Sequence, residues 1–246
     1  MKKLSLNGSW SLDIPGIGIG NVSAQVPGSV YHDLLTAGLM EDPFYRDNEM
    51  EALALMDHDF HYSRSFCVEE GLLESDAVYL RCEGLDTIAS VYVNGECVGL
   101  ANNMHRIWEF DVKKILKAGE NTIAVHFASP TKYIKEQYAK SVADGSSDAM
   151  IGFPLLRKAH CMFGWDWGPQ LVDAGIWRDI YIVGNSSAKI EDVRIRQYHE
   201  ADGSVRVKTE ITMSEQTYAA ITVTLLEKED GDLSFVTAKA KYGNVY

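Results

Sequence analysis

The chain contains 246 residues, of which 46% are hydrophobic, and its formal net charge at pH 7 is −12. This length can bury a sizeable core, in one large domain or in two smaller ones. The negative charge repels nucleic-acid phosphates and anionic lipid surfaces, so no nucleic-acid or membrane partner is expected and neutral or cationic ligands are favoured.

A short helix and two strands are predicted first along the chain. The stretch SVYHDLLTAG has Ser29 as an N-cap and Gly38 as a terminator, which is typical of a helix. Apolar residues then alternate with polar ones at 60–68 and again at 78–82. Alternation with a period of two predicts strands with one buried face.

An Asn-Gly pair ends the next apolar run, which extends over 88–93. Asn94 and Gly95 can both take positive φ, as a type I′ turn requires, so this stretch predicts a β-hairpin. Further alternating runs lie at 123–127 and 178–183, and the stretch TKYIKEQYAKSVA predicts a second helix. Short strands separated by Gly, Asn and Asp at this density favour a β-sandwich.

Small polar residues at 184–188 separate two alternating regions. The second region again predicts strands, since SVRVKTEITM places its apolar residues on one face. About 58 residues, from 189 to 246, follow the boundary, fewer than the roughly 100 of an immunoglobulin-like sandwich. We therefore predict one domain at 1–184 and an incomplete second domain at 185–246, whose exposed apolar faces could pair with a second copy of the chain.

Four cysteines are present, and they show no metal-binding spacing such as C-x-x-C. They are interpreted as reduced thiols that mostly pack in the core: Cys67, Cys82, Cys97 and Cys161. No metal site is predicted. The sequence contains no glycine-rich phosphate loop and no G-x-S-x-G elbow, so it indicates neither a cofactor nor a catalytic serine. The start MKKLSLNGSW lacks the apolar run of an export signal, and no run reaches the roughly 20 apolar residues of a membrane helix, so a cytoplasmic location is expected.

The stretch FGWDWGP at 163–169 is the strongest candidate for a functional site. The faces of Trp165 and Trp167 suit the apolar C–H face of a sugar ring, and the carboxylate of Asp166 could accept two hydroxyl hydrogen bonds. The alternative is structural: the tryptophans fill the sandwich and Asp166 caps a turn. The residues by themselves leave both readings open.

Several stretches together resemble the amino-terminal region of β-mannosidases of glycoside hydrolase family 2. They are LNGSW (6–10), VPGSVYHDLL (26–35), DPFYRDNE (42–49), GLDTIASVYVNG (84–95), RKAHCMFGWDWGP (157–169) and AGIW (174–177). The resemblance runs in order from residue 4 to about residue 184. LNGSW and the Asn-Gly hairpin are shared with β-galactosidases and β-glucuronidases, whereas FGWDWGP after RKA indicates the mannosidase branch.

The resemblance implies an all-β architecture: a jelly-roll, galactose-binding-like β-sandwich followed by a partial immunoglobulin-like β-sandwich. In the family a (β/α)8 barrel follows and carries both catalytic glutamates of a retaining hydrolase, which releases terminal β-D-mannose. The chain ends before such a barrel, so we expect no catalytic residue in it and no activity from it alone. Glu49 follows an asparagine, as the family's acid/base does, but DPFYRDNE belongs to the amino-terminal pattern and Glu49 is assigned no catalytic role.

The resemblance also implies roles for individual residues. Trp165 would shape the wall of a sugar site in the missing barrel, and Asp166 would accept hydrogen bonds from the terminal mannose of a β-mannoside or manno-oligosaccharide. Trp167 and Arg157 are weaker candidates: Trp167 would fix the loop, and Arg157 would pair with Asp166 or support the turn. Two alternatives stay open, a self-sufficient carbohydrate-binding module and the same region of a related exo-glycosidase of the β-galactosidase, β-glucuronidase or exo-β-glucosaminidase type.

Overall fold

A computed structural model describes residues 2–186, 189–214, 220–226, 233–239 and 244–245. The chain divides into two compact units, Met1–Gly184 and Asn185–Tyr246. Both units consist mainly of antiparallel strands with few helices, so the predicted all-β class is confirmed.

Twelve strands begin within the first unit. They are β1 (Lys2–Ser5), β2 (Gly8–Ile14), β3 (Ile19–Val26), β4 (Phe60–Val68), β5 (Ala77–Cys82), β6 (Leu85–Asp86), β7 (Ile88–Val93), β8 (Glu96–Asn102), β9 (Trp108–Asp111), β10 (Gly119–Phe127), β11 (Gly175–Ile176) and β12 (Ile180–Asn185). The helices are α1 (Val30–Thr36), α2 (Asn48–Leu55), α3 (Glu70–Leu73) and α4 (Pro130–Lys140). Single 3₁₀ turns occur at Pro15–Ile17, Phe153–Leu155 and His160–Phe163.

Two larger sheets form the jelly-roll sandwich of this unit. Six strands lie in the order β3-β2-β4-β10-β7-β8, and four lie in the order β1-β12-β5-β9. The alternation predicted from the sequence decides which side chains enter the core: Phe60, Tyr62, Phe66 and Val68 of β4 are buried. A short two-stranded sheet pairs β6 with β11, so that Asp86 lies opposite Gly175.

The predicted helices and hairpin are confirmed. The hydroxyl oxygen of Ser29 accepts the N–H of His32 at the start of α1, and α4 follows the capping Ser129. Between β7 and β8, Asn94 has φ 51° and Gly95 has φ 83°, as the predicted turn requires. The sequence analysis missed α2, because its N-cap makes no side-chain hydrogen bond and only one of its residues, Ala52, is buried.

The expectation that the cysteines mostly pack in the core is wrong. All four thiols are free, but only Cys82 is buried, and burial raises the pKa of its thiol. Cys67 lies between the buried Phe66 and Val68 on β4, so alternation points its side chain outward. Cys97 and Cys161 are also exposed.

The second unit contains five described strands. They are β13 (Ile190–His199), β14 (Val205–Met213), β15 (Ala220–Leu226), β16 (Leu233–Lys239) and β17 (Asn244–Val245). One sheet has the order β13-β14-β17, and the other pairs β15 with β16. On β14, Val205 and Val207 are exposed whereas Ile211 is buried. Within the described residues, no helix has the length and apolar character needed to cross a membrane.

Candidate functional site

The motif FGWDWGP forms a tight turn rather than a strand. The N–H of Trp165 donates to the carbonyl of Gly168 at 3.0 Å, and the N–H of Gly168 donates back to the carbonyl of Trp165 at 3.2 Å. Asp166 and Trp167 therefore occupy the two central positions of the turn. Gly164 precedes it with φ 81° and ψ 170°, a backbone conformation that is essentially restricted to glycine.

The two indoles of this turn lie on the surface. Trp165 is 40% exposed and Trp167 is 80% exposed, whereas Trp10, on β2, is almost completely buried. The rings of Trp165 and Trp167 contact each other, with centroids 5.1 Å apart and planes inclined by 38°. The alternative in which these tryptophans fill the sandwich is therefore wrong, because both side chains are exposed.

A second segment, the loop 42–47 with the first residues of α2, lies against the turn. The carboxylate of Glu49, at the start of α2, accepts the N–H of Gln170 at 2.7 Å. Together with Asp148, these two segments line a cavity of about 390 Å³ that is open to solvent. Its lining consists of Pro43, Phe44, Arg46, Glu49, Asp148 and the residues from Trp165 to Gln170.

The chemistry of this cavity suits a hydroxyl-rich ligand that is neutral or cationic. Its lining includes the carboxylates of Glu49, Asp148 and Asp166 and one guanidinium, that of Arg46. Carboxylates accept hydrogen bonds from hydroxyl groups, and an exposed indole offers an apolar face to the C–H side of a sugar ring. Among the described residues, no group of three or more His, Cys, Asp or Glu side chains could hold a metal ion.

The structure brings together three of the four predicted site residues. Trp165, Asp166 and Trp167 line the cavity, but Arg157 does not. Arg157 is exposed, and in the part of the chain that the structure describes it forms no ion pair with Asp166. Its carbonyl oxygen accepts the N–H of Met104 at 3.0 Å, so its observed contact is made by the backbone.

The neighbouring Lys158 was missed by the sequence analysis. It is 1% exposed, and its ammonium forms an ion pair with Asp86 and donates to the carbonyl of Asp173 at 2.7 Å. Lysine is almost never fully buried unless it is paired. The partner Asp86 lies 72 positions away, so no local pattern in the sequence identifies the contact.

Comparison with known proteins finds a matching family and several relatives. Residues 9–178 match the family described as glycosyl hydrolase 2 galactose-binding domain-like. A β-mannosidase of Capra hircus is 33% identical over 187 residues, which cover 73% of this chain and 21% of the goat protein. A probable β-mannosidase of Caenorhabditis elegans is 32% identical over 184 residues, which cover 70% of this chain and 20% of that protein. The chain thus spans about a fifth of the length of these curated relatives.

Solved structures of glycoside hydrolases also superpose on this chain. The crystal structure of a β-D-mannosidase from Dictyoglomus thermophilum superposes with a TM-score of 0.83 and 31% identity, covering 100% of this chain and 30% of that one. An exo-chitosanase from Amycolatopsis orientalis superposes with a TM-score of 0.61 at 17% identity, covering 100% of this chain and 28% of that one. The second likeness shows the fold alone.

Proposed function

The chain belongs to glycosyl hydrolase family 2, whose galactose-binding-like domain it carries at 9–178, and on this basis we propose that it is the non-catalytic amino-terminal portion of a β-mannosidase. The whole protein would release terminal β-D-mannose from β-mannosides with retention of configuration. Such chemistry requires two carboxyl groups about 5 to 5.5 Å apart across the scissile bond. In this proposal a barrel domain of the same protein supplies them, and the turn 165–168 supplies contacts to the sugar.

One observation carries the proposal: Trp165, Asp166 and Trp167 are exposed together on a turn that borders a cavity. An indole can lie against the apolar face of a pyranose, and a carboxylate can accept two hydroxyl hydrogen bonds at once. A turn that served only the fold would have no need to expose two indoles. Glu49 is occupied in holding the N–H of Gln170, which supports a structural role for this carboxylate.

The surface around the turn supports docking against a further domain. Phe44, Met50 and Ile151 are exposed. Met50 and Ile151 line an apolar groove of about 730 Å³ between α2 and α4, and Gln170 lies in both the groove and the cavity. Apolar surface of this kind, bordered by polar groups, marks an interaction site. A barrel seated on this face would enclose Trp165 and Asp166 in its mouth.

Mannoside hydrolysis tests the proposal. In the whole protein, Asp166→Ala would remove charge-assisted hydrogen bonds that strengthen toward the transition state, at about 2 to 4 kcal/mol. This corresponds to a loss of about 30- to 900-fold in kcat/KM for an aryl β-mannoside. Asp144→Ala is the matched control, since it removes an exposed carboxylate that does not line the cavity, and it should leave kcat/KM unchanged.

Two results would overturn the proposal. One is wild-type kcat/KM in a folded Asp166→Ala protein, which would reduce Asp166 to a turn residue. The other is hydrolysis of the aryl β-mannoside by the 246-residue chain alone, because the proposal places both catalytic carboxylates outside it. Tight binding of a manno-oligosaccharide by the chain alone would instead favour a self-sufficient carbohydrate-binding module.

A further inference from the structure

One buried lysine joins the two ends of the segment that carries the turn 165–168. Lys158 lies at the start of this segment, and its ammonium donates to the carbonyl oxygen of Asp173 at its end, fifteen positions later and 2.7 Å away. The same ammonium forms an ion pair with Asp86. The side chain of Lys158 is 0% exposed, so bulk water does not compete for these contacts.

Asp86 is itself fixed to the sandwich. Its second carboxylate oxygen accepts the hydroxyl hydrogen of Thr87, and its strand, β6, pairs with β11 so that Asp86 lies opposite Gly175. Gly175 follows Asp173 by two positions. The Lys158 ammonium therefore connects both ends of the segment to β6 and β11, which are hydrogen-bonded to each other, rather than to another loop.

Stability alone is a poor explanation for this arrangement. Burying two charges removes both from water, and this cost offsets much of their attraction, so an apolar pair of similar volume is often as stable. An apolar side chain, however, cannot bind a carbonyl oxygen at a fixed distance and direction. Contacts that hold both ends of a loop restrict where its tip can lie.

We propose that Lys158 is a positioning residue for the sugar site: its contacts with Asp86 and with the carbonyl of Asp173 set the geometry of the turn that presents Trp165 and Asp166. The consequence for sugar binding rests on the function proposed above. The geometry of the turn can be measured without any sugar, because the contacting indoles of Trp165 and Trp167 form a coupled pair of chromophores.

The test uses the 246-residue chain and its circular dichroism. Two indoles with centroids 5.1 Å apart give an exciton couplet that depends steeply on their separation and angle, and Trp167→Phe identifies this couplet. The double variant Lys158→Met with Asp86→Asn removes both charges of the ion pair, so neither partner is left as an unpaired ion. The nearby carboxylate of Asp173 keeps its hydrogen bonds from the N–H groups of Tyr31 and Ala174. We expect it to unfold cooperatively like the wild type but to lose at least half of the couplet.

The matched control removes an ion pair elsewhere in the sandwich. Arg81 on β5 pairs with Glu109 on β9 at 2.8 Å, so Arg81→Met with Glu109→Gln should leave the couplet unchanged. A full couplet in the folded Lys158→Met, Asp86→Asn variant would refute the positioning role. If that variant does not fold, Lys158→Gln with Asp86→Asn decides: it also removes both charges, it buries no apolar group in their place, and its amide is one atom too short to replace the ammonium. It must reduce the couplet.

Activity then separates the two proposals. In the whole protein the double variant should lower kcat/KM for an aryl β-mannoside at least tenfold. A lost couplet with unchanged kcat/KM would support the positioning of the turn and overturn the proposed role of the turn in sugar binding. An unchanged couplet would overturn the positioning role whatever the activity.

Discussion

Replacing Gly164 with alanine should destabilise the first unit through the turn that it precedes. Gly164 has φ 81° and ψ 170°, and a residue with a Cβ pays about 1 to 3 kcal/mol to hold such a backbone conformation. The added Cβ would also lie 2.5 Å from Cγ of Gln170, whose N–H is bound by Glu49. The turn cannot relax freely, because Lys158 holds both ends of its segment.

The expected loss can be expressed as a melting temperature. For a domain of this size each kcal/mol corresponds to about 2 to 4 °C, so Gly164→Ala should lower the Tm by about 2 to 12 °C in a calorimetric scan. Gly168→Ala is the control within the same turn. Its Cβ would meet nothing within 4 Å and its φ is not positive, so its effect should stay within about 0.5 kcal/mol. Equal Tm values for the two variants would refute the reasoning.

Two further predictions concern buried groups. Asp33 is buried and accepts the hydroxyl of Tyr62 and the N–H of Gln25, and burial raises its pKa above 3.8, opposed by these two bonds and by His32. Its stabilising contribution is therefore complete below pH 3.8 and is lost as the pH rises through the folded pKa. Urea titrations at several pH values should show this loss in the free energy of unfolding of the wild type but not of Asp33→Asn. An identical loss in both proteins would contradict the assignment. Thiol labelling of the native chain should modify three of the four cysteines quickly and spare Cys82, which is buried with a raised pKa; labelling of all four at one rate would show that the core opens.

The strands were predictable because burial follows a period that a single sequence displays. On β4 and β5 the alternating apolar residues are the ones that enter the core. The outward position of Cys67 follows from the same alternation, since its neighbours Phe66 and Val68 are buried. Helix α2 consists mostly of strong helix formers and has two glutamates in its first turn. It was missed because it buries only Ala52 and so shows no apolar face with a helical period.

The candidate site was predictable only where it is contiguous in sequence. Trp165, Asp166 and Trp167 are neighbours, and the chemistry of their side chains suggested a sugar site before any geometry was known. The contacts that hold the turn are not local: Glu49 and Gln170 are 121 positions apart, and Lys158 and Asp86 are 72 apart. A single sequence contains no periodic pattern that reports such pairs, which is why Arg157 was considered and Lys158 was not.

The contact between Lys158 and the carbonyl of Asp173 also limits how this surface can evolve. The fifteen positions that separate them must span a fixed distance, so an added or deleted residue would change the path of the turn or break one of its end contacts. Substitutions at the tip, at 165–167, meet no such restriction, because those side chains are exposed. If the turn binds sugar as proposed, homologues that act on different sugars should differ in which residues stand at the tip while keeping the length of the segment constant.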